Sequence, residues 1–277
     1  MPRRRPRVFG VLPTLLTLGN AVCGFGAVTL AGGWTRYEPA TAFFAAGALV
    51  FLAMVFDGLD GAAARWAGKE SEFGAKLDSL CDAVSFGTAP AVLVIGLGQP
   101  FGYHPRVVWV VAALYLVCTL LRLARFGLET ADEPDPEPGR FWGLPSPAAA
   151  AVVASWPVML YGPQVLADGA PAGPAWDVWA ARLLPVVAVA VACLMVSRVR
   201  YRHALRRITR GRGARPRLVK LVFATAVVAA VPRVVVPLAV CWYAFAPPVA
   251  AGWDRYRPGR TGAGPGAGEL PRVTDGT

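Results

Sequence analysis

Residues 57–82 read DGLDGAAARWAGKESEFGAKLDSLCD, a stretch that joins the end of one apolar segment to the beginning of the next. Asp57 and Asp60 close the first segment, and Asp78 and Asp82 lie in the first turns of the second. A helix has about 3.6 residues per turn, so each pair projects from one face of its own helix. Because the connector is short, we predict two antiparallel neighbouring helices whose acidic faces converge.

The composition around this stretch indicates a membrane protein. The chain is 55% hydrophobic and only 16% charged, with a mean hydropathy of +0.47. Apolar stretches near 20 residues recur, and each is long enough to cross a hydrocarbon core of about 30 Å. The five cysteines are scattered and show no CxxC spacing. A secreted, disulfide-stapled or disordered protein is therefore excluded, and an all-α integral membrane fold is predicted.

The apolar stretches predict a bundle of about eight transmembrane helices, six in a core and two in a short C-terminal pair. The spans are expected near 8–31, 40–57, 73–97, 106–126, 144–162, 180–197, 218–231 and 233–251. Pro232-Arg233 interrupts the last run, so this run is either a helical hairpin or one kinked helix.

The predicted domain organisation follows from these spans. It consists of a basic N-terminus (1–7), a six-helix membrane domain (8–197) that contains residues 57–82, a basic connector (198–217), the C-terminal helical pair (218–251) and a disordered tail (252–277).

The distribution of Lys and Arg predicts the orientation. Four arginines lie among residues 1–7 and nine more, with Lys220, between 198 and 220, whereas residues 163–179 contain no Lys or Arg. Basic residues mark the cytosolic side of a bacterial membrane protein. The N-terminus, the connectors 58–72 and 127–143 and the C-terminal tail are thus predicted to be cytosolic. The basic cluster after the sixth span favours anionic lipid headgroups as a partner over nucleic acid.

The four aspartates predict a metal centre, because carboxylates are costly in a membrane and mark functional sites there. Close together they repel one another, and divalent cations remove the conflict. All-oxygen ligation favours Mg²⁺ or Mn²⁺, often shared with substrate phosphates, and two metals suit a phosphoryl displacement. Small residues after Asp60 are expected to fill a bend with room for a ligand. In an alternative, the acids neutralise Arg65, Lys69 and Lys76 as interfacial ion pairs.

Three further residues have two interpretations each. Asn20 is a polar side chain in an apolar span, where it contacts either the nucleotide and diphosphate or another helix. Arg122 and Arg125, at the cytosolic end of the fourth span, bind the acceptor's carboxylate or a phosphate, or else they anchor the helix at the interface.

The spacing from Asp60 to Asp82 resembles the signature of the CDP-alcohol phosphatidyltransferases, D-G-x2-A-R-x8-G-x3-D-x3-D, at every fixed position. Within that superfamily the chain looks most like the membrane-integral bacterial phosphatidylserine synthases. Four further stretches carry this likeness: residues 13–24, 71–91, 122–126 and 141–149. The chain departs from the family pattern at Thr14 and Gly127, where Asn is usual.

The resemblance implies roles for individual residues. Asp57, Asp60, Asp78 and Asp82 would hold the metals, and Asp82, beside Asp78, would be the catalytic base. The CDP site would include Gly61, Ala64, Arg65, Gly74 and Asn20. A homodimer is also implied.

The resemblance implies transfer of a phosphatidyl group from CDP-diacylglycerol to L-serine, giving phosphatidylserine and CMP, at the cytosolic face of the bacterial cytoplasmic membrane. One alternative keeps this chemistry and takes glycerol 3-phosphate or an inositol phosphate as acceptor. A second alternative is a cation transporter that uses the carboxylates as a pathway. Transporter sites usually lie near the midplane of the bilayer, whereas these acids lie at one interface.

Overall fold

The computed structural model describes residues 8–67, 72–98, 102–132, 141–162, 175–197, 200–201 and 232–256. This part of the chain is almost entirely helical, which confirms the predicted fold class. Its elements, in order, are α1 (Val8–Ala31), α2 (Pro39–Ala67), α3 (Glu72–Asp82), a π-helix (Ala83–Thr88), α4 (Ala89–Gly98), α5 (Pro105–Asp132), β1 (Phe141–Trp142), α6 (Ser146–Leu160), α7 (Ala175–Val196), β2 (Arg200–Tyr201) and α8 (Pro232–Tyr256).

A helix occupies each of the six predicted core spans, but the predicted ends of the second and fourth spans were wrong. The helix α2 does not end at Asp57 and does not bend after Asp60; it continues to Ala67. Ala62–Ala64 are strong helix formers and outweigh the single Gly61. The helix α5 continues to Asp132, beyond the predicted end at 126.

The C-terminal region is described only in part. The helix α8 matches the predicted span 233–251 and continues to Tyr256, so residues 252–256 are helical and the predicted disorder is wrong there. The predicted span 218–231, most of the basic connector, residues 1–7 and the tail from 257 lie outside the described residues. Whether 218–251 forms one helix or two therefore stays open.

Four helices in the described residues are long and apolar enough to cross a membrane: Leu12–Ala31, Pro39–Ala63, Glu72–Gly98 and Pro105–Arg125. Shorter apolar helices cover Ser146–Leu160, Ala181–Val196 and Val235–Val249. The third long helix combines α3, the π-helix and α4. These helices indicate a multi-pass membrane protein.

The surface of α1 shows how the protein meets lipid. Leu15, Val22 and Phe25 are exposed, whereas Asn20 and Ala27 on the opposite face are completely buried. In water the apolar face of a helix would turn inward. In a membrane, lipid covers large apolar side chains, and small or polar residues form the contacts between helices.

Small residues let the helices approach closely around the acidic stretch. The helix α1 packs along α2 and also contacts α3, the π-helix and α4. A Cβ atom on Gly24 would overlap the backbone and side chain of Ser85. A Cβ atom on Gly47 would lie 2.8 Å from the Ala154 carbonyl oxygen of α6. These glycines bring α1 against the π-helix and α2 against α6.

The π-helix begins directly after Asp82 and is bonded to two neighbouring helices. The Ser85 hydroxyl donates to the Asn20 carbonyl of α1 at 2.9 Å, and the Tyr115 hydroxyl of α5 donates to the Phe86 carbonyl at 3.1 Å. Single π turns inside helices are frequent at functional sites. These bonds fix the rotation of α3, and with it the direction of the aspartates.

A tight turn precedes α6 and contacts the C-terminal end of α7. Gly143 has a φ of 79°, a conformation that L side chains rarely adopt, and the next residue, Leu144, donates its N–H to the Leu194 carbonyl at 3.0 Å. Just before it, β1 pairs antiparallel with β2, with Phe141 opposite Tyr201. The turn therefore holds the residues just before α6 against the C-terminal end of α7.

Candidate functional site

Three aspartates meet where α2 and α3 lie side by side. Asp57 and Asp60 come from successive turns of α2, and Asp78 comes from α3. One carboxylate oxygen from each lies within 4.8 Å of the other two. We call this group the acidic triad. The convergence predicted from the helical spacing is present for these three residues.

The acidic triad is withdrawn from solvent. Asp60 is buried, and Asp57 and Asp78 are half-buried. The Thr17 hydroxyl of α1 donates to the Pro13 carbonyl at 3.0 Å, and Thr17 and the Gly61 backbone interact electrostatically with Asp60. Nevertheless, Asp60 Oδ2 and Asp78 Oδ1 are buried without a hydrogen-bond partner among the described residues.

This arrangement fits a divalent cation. Three carboxylates whose oxygens lie within 4.8 Å of one another repel each other. Burial strengthens this repulsion because it removes screening by water. Two of their buried oxygens lack donors among the described residues, which is costly unless something else binds them. Oxygen-only ligands suit a hard cation. Asp57, Asp60 and Asp78 are therefore able to bind a metal ion.

The described residues give no support to neutralisation of the triad by Lys76. Its ammonium group binds Glu72 at 2.7 Å, one turn along α3, and both side chains are exposed. The Arg65 side chain and Lys69 lie outside what the structure describes. Of the three basic residues in the ion-pair alternative, the one that can be examined has a different partner.

Asp82 lies beside the triad but outside the set of oxygens that approach within 4.8 Å. It is buried, and it interacts electrostatically with Asp57, Asp78 and Asp60. Its Oδ1 accepts a hydrogen bond from the Asn20 amide nitrogen at 3.0 Å. Metal ligation by Asp82 therefore stays a prediction, while its proximity to the triad is a feature of the structure.

The residues expected at the CDP site lie on the same two helices. Gly61 is half-buried in α2, next to Asp60, and Gly74 is half-buried in α3, one turn before Asp78. Ala64 and Arg65 lie in α2, where the structure describes their backbone but not their side chains. Asn20 faces Asp82 from α1. Contacts with a nucleotide stay predictions for all five.

Arg122 is bound to the turn that follows β1. Its Nε donates to the Leu144 carbonyl at 2.5 Å, and its charge interacts with Tyr243 of α8. Arg125, one turn further along α5, is exposed. The guanidinium of Arg122 is thus oriented by backbone rather than by solvent alone, which is compatible with binding an acceptor or a phosphate.

Two residues around the site were not predicted to act there. They are Thr17 and Ser85, to which the sequence analysis assigns no role. The sequence holds part of the information needed to predict their position. Thr17, Asn20 and Gly24 are spaced three and four residues apart along an otherwise apolar span, so they lie on one face of the helix. That pattern predicts a polar and small face turned toward the protein interior.

The chain matches a family model described as CDP-alcohol phosphatidyltransferase over residues 10–194, well over half of its length. The match contains the acidic triad, Asp82, Asn20 and both arginines. It ends before β2 and α8.

Several curated relatives are similar over about half of the chain. A CDP-diacylglycerol–serine O-phosphatidyltransferase of Mycobacterium leprae (strain TN) is 39% identical over 158 residues, which are 55% of this chain and 48% of the relative. The protein of the same name from Helicobacter pylori (strain J99 / ATCC 700824) is 35% identical over 144 residues, 52% of this chain and 55% of the relative. An archaetidylserine synthase of Methanothermobacter thermautotrophicus is 36% identical over 150 residues, 53% and 58% respectively. The chain spans about half the length of the curated relatives it matches.

Proposed function

Because the chain belongs to the CDP-alcohol phosphatidyltransferase family, we propose that it transfers a phosphatidyl group from CDP-diacylglycerol to L-serine and forms phosphatidylserine and CMP. The observation that carries this proposal is the acidic triad. Two of its members, Asp60 and Asp78, are signature residues of the family and have buried oxygens without a partner among the described residues. The names of the relatives from Mycobacterium leprae and Helicobacter pylori support serine as the acceptor.

In this proposal Asp57, Asp60 and Asp78 hold Mg²⁺ or Mn²⁺, and Asp82 is a further ligand. The bound ion would neutralise negative charge on the diphosphate of the substrate. The protein's own contribution is to keep these carboxylates together before substrate arrives, through the packing of α1, α2 and α3. Preorganisation of this kind avoids rearrangement during the reaction.

The reaction is a displacement at the phosphorus that carries the diacylglycerol. The serine hydroxyl oxygen forms a new bond to that phosphorus, and the bond from phosphorus to the oxygen bridging to CMP breaks. The bonding pair leaves with CMP. Asp82 accepts the proton of the serine hydroxyl, as a general base within hydrogen-bonding reach of it.

The remaining residues bind the two substrates. Gly61, Ala64, Arg65 and Gly74 form the site for the CDP group, where small residues admit the nucleotide and Arg65 pairs with a phosphate. Asn20 borders this site from α1, where its amide nitrogen donates to Asp82. Arg122 and Arg125 bind the carboxylate of serine or a phosphate of the lipid substrate. The bond from Arg122 to the Leu144 carbonyl supports this role, because it fixes the plane of the guanidinium.

The proposal places the enzyme in the bacterial cytoplasmic membrane with its active site toward the cytosol. The excess of arginine at the N-terminus and after the sixth span supports this orientation. The basic connector would contact anionic lipid headgroups. A homodimer is proposed from the family resemblance.

The test supplies purified protein in CDP-diacylglycerol vesicles with serine, glycerol 3-phosphate or an inositol phosphate in separate reactions, and identifies each lipid product by mass. We expect phosphatidylserine and an equal amount of CMP, and we expect both only when Mg²⁺ or Mn²⁺ is present. If phosphatidylglycerophosphate forms and no serine lipid forms, the acceptor is glycerol 3-phosphate and not serine. If no reaction releases CMP and a divalent cation moves into sealed vesicles, the protein is a transporter and not an enzyme.

A further inference from the structure

Asn20 and the segment after Asp82 are joined by two hydrogen bonds that run in opposite directions. The Asn20 side-chain nitrogen donates to Asp82 Oδ1 at 3.0 Å, and the Ser85 hydroxyl donates to the Asn20 backbone carbonyl at 2.9 Å. Asn20 and Ser85 have no exposed surface, and Asp82 is 8% exposed. We call this pair of bonds the α1 clamp.

The α1 clamp differs from a buried hydroxyl contact that stays within one helix. Ser155, for example, donates to the Val152 carbonyl of its own helix α6. Such bonds satisfy a hydroxyl locally and leave neighbouring helices independent. The α1 clamp instead connects residues that are 62 and 65 positions apart in the sequence.

The amide of Asn20 is not fully satisfied. A carboxylate accepts hydrogen bonds, so the atom that faces Asp82 is the amide nitrogen and the other atom is Oδ1. This Oδ1 is buried and has no partner among the described residues. An unsatisfied buried acceptor is a cost to the fold. Stability alone is therefore a poor explanation for an asparagine at this position.

From this geometry we infer that Asn20 is a positioning residue, which fixes the Asp82 carboxylate for the reaction while Ser85 fixes Asn20. This inference rests on the proposed function. With Oδ1 bound by Asn20, the carboxylate plane cannot rotate freely, and Oδ2 is the oxygen that meets the serine hydroxyl. Gly24 makes the arrangement possible, because a side chain there would collide with Ser85.

A residue that acts only through Asp82 has a recognisable signature in a double-mutant cycle. We expect Asn20→Leu to lower kcat about 10-fold to 100-fold, the usual effect of losing a hydrogen bond to a functional carboxylate. In the Asp82→Asn background the same change should cost less than about threefold. The KM for CDP-diacylglycerol should stay within about twofold of wild type. Leucine has the same branching pattern as asparagine, with methyl groups in place of the amide oxygen and nitrogen, so it keeps an apolar contact between the helices.

Binding of Mn²⁺ gives a readout that does not depend on turnover. Titration of purified protein followed by electron paramagnetic resonance measures the Mn²⁺ dissociation constant for wild type, Asn20→Leu, Asp82→Asn and the double variant. We expect Asn20→Leu to change this constant in the same direction as Asp82→Asn and by no more. We also expect the double variant to match Asp82→Asn.

A pair of serine variants separates positioning from general destabilisation. Ser85→Ala removes the bond to Asn20, whereas Ser155→Ala removes an equally buried hydroxyl whose bond stays within α6. We expect Ser85→Ala to lower kcat about threefold to tenfold and Ser155→Ala to leave it unchanged. Equal effects of the two changes would overturn the inference, and this comparison decides the matter if Asn20→Leu does not fold.

The remaining outcomes are also decisive. Additive losses in the cycle would show that Asn20 acts independently of Asp82. A raised KM for CDP-diacylglycerol with unchanged kcat would make Asn20 a substrate-binding residue instead. If wild-type protein releases no CMP, the proposed function fails, and the Mn²⁺ cycle still tests whether Asn20 acts through Asp82.

Discussion

In the acidic triad, Asp60 Oδ2 and Asp78 Oδ1 are buried without a partner among the described residues, whereas the guanidinium of Arg122 donates from its Nε to the Leu144 carbonyl. The first region concentrates negative charge and leaves it unbalanced by the described side chains. The second ties its charged group to backbone. The triad is therefore able to bind a cation from outside the chain, while the arginine is oriented by the chain itself.

Loss of one carboxylate from the triad should have the largest effect. We expect Asp78→Asn to lower turnover about a hundredfold to a thousandfold, because a preorganised charged group is removed from the reacting centre. The measurement is CMP release by protein that has been shown to insert and purify as wild type does.

Glu72→Gln is the matched control for Asp78→Asn. It removes an acid from the same helix, but Glu72 is exposed and bound to Lys76. Turnover should stay within about twofold, since exposed ion pairs contribute little. Near-normal activity of Asp78→Asn would remove this residue from the mechanism, and a large loss in Glu72→Gln would show that any acid on α3 is required.

The unbalanced charge of the triad also predicts stabilisation by a divalent cation. At a free Mn²⁺ concentration 100 times its dissociation constant, binding to the folded state adds about 2.7 kcal/mol to the free energy of unfolding. Thermal unfolding of the detergent-solubilised protein should therefore shift upward with Mn²⁺, and chelation should reverse the shift.

The same shift distinguishes specific binding from an effect of salt. Asp60→Asn should reduce it strongly and Glu72→Gln should preserve it, at constant ionic strength set with KCl. An undiminished shift in Asp60→Asn would mean that the ion binds elsewhere.

The sequence was sufficient for the parts of the site that depend on helical periodicity. Asp57 and Asp60 are one turn apart on α2, and Asp78 lies on the next helix after a short connector, so their convergence follows from the spacing. The end of α2 was missed because Gly61 was interpreted as the start of a bend. The alanines after it continue the helix, so local propensity should have been weighed over several residues.

The α1 clamp is of a different kind. Its bonds depend on the rotation of α1 relative to α3 and on a π-helix that shifts the register after Asp82. Neither is encoded by a local pattern, and the partners lie far apart in the sequence. Sequence reasoning left Asn20 divided between a substrate contact and a contact between helices, and a contact between helices is present in the fold.

The smallest effect is expected in the second region, at Arg122. Lysine keeps the charge but lacks the planar group that binds a backbone carbonyl and a carboxylate together. We expect Arg122→Lys to raise the KM for serine about fivefold to tenfold, close to 1 kcal/mol, with kcat and the KM for CDP-diacylglycerol nearly unchanged. Steady-state kinetics with each substrate varied in turn measure this pattern.

Arg125→Lys provides the comparison, because Arg125 is on the same helix and exposed. Its KM for serine should change less than that of Arg122→Lys if orientation by the Leu144 carbonyl is what matters. Equal changes in the two variants would mean that charge alone attracts the acceptor. In that case Arg122 would act as an interfacial anchor does. Arg122 and the acidic triad would then differ only in the sign of their charge.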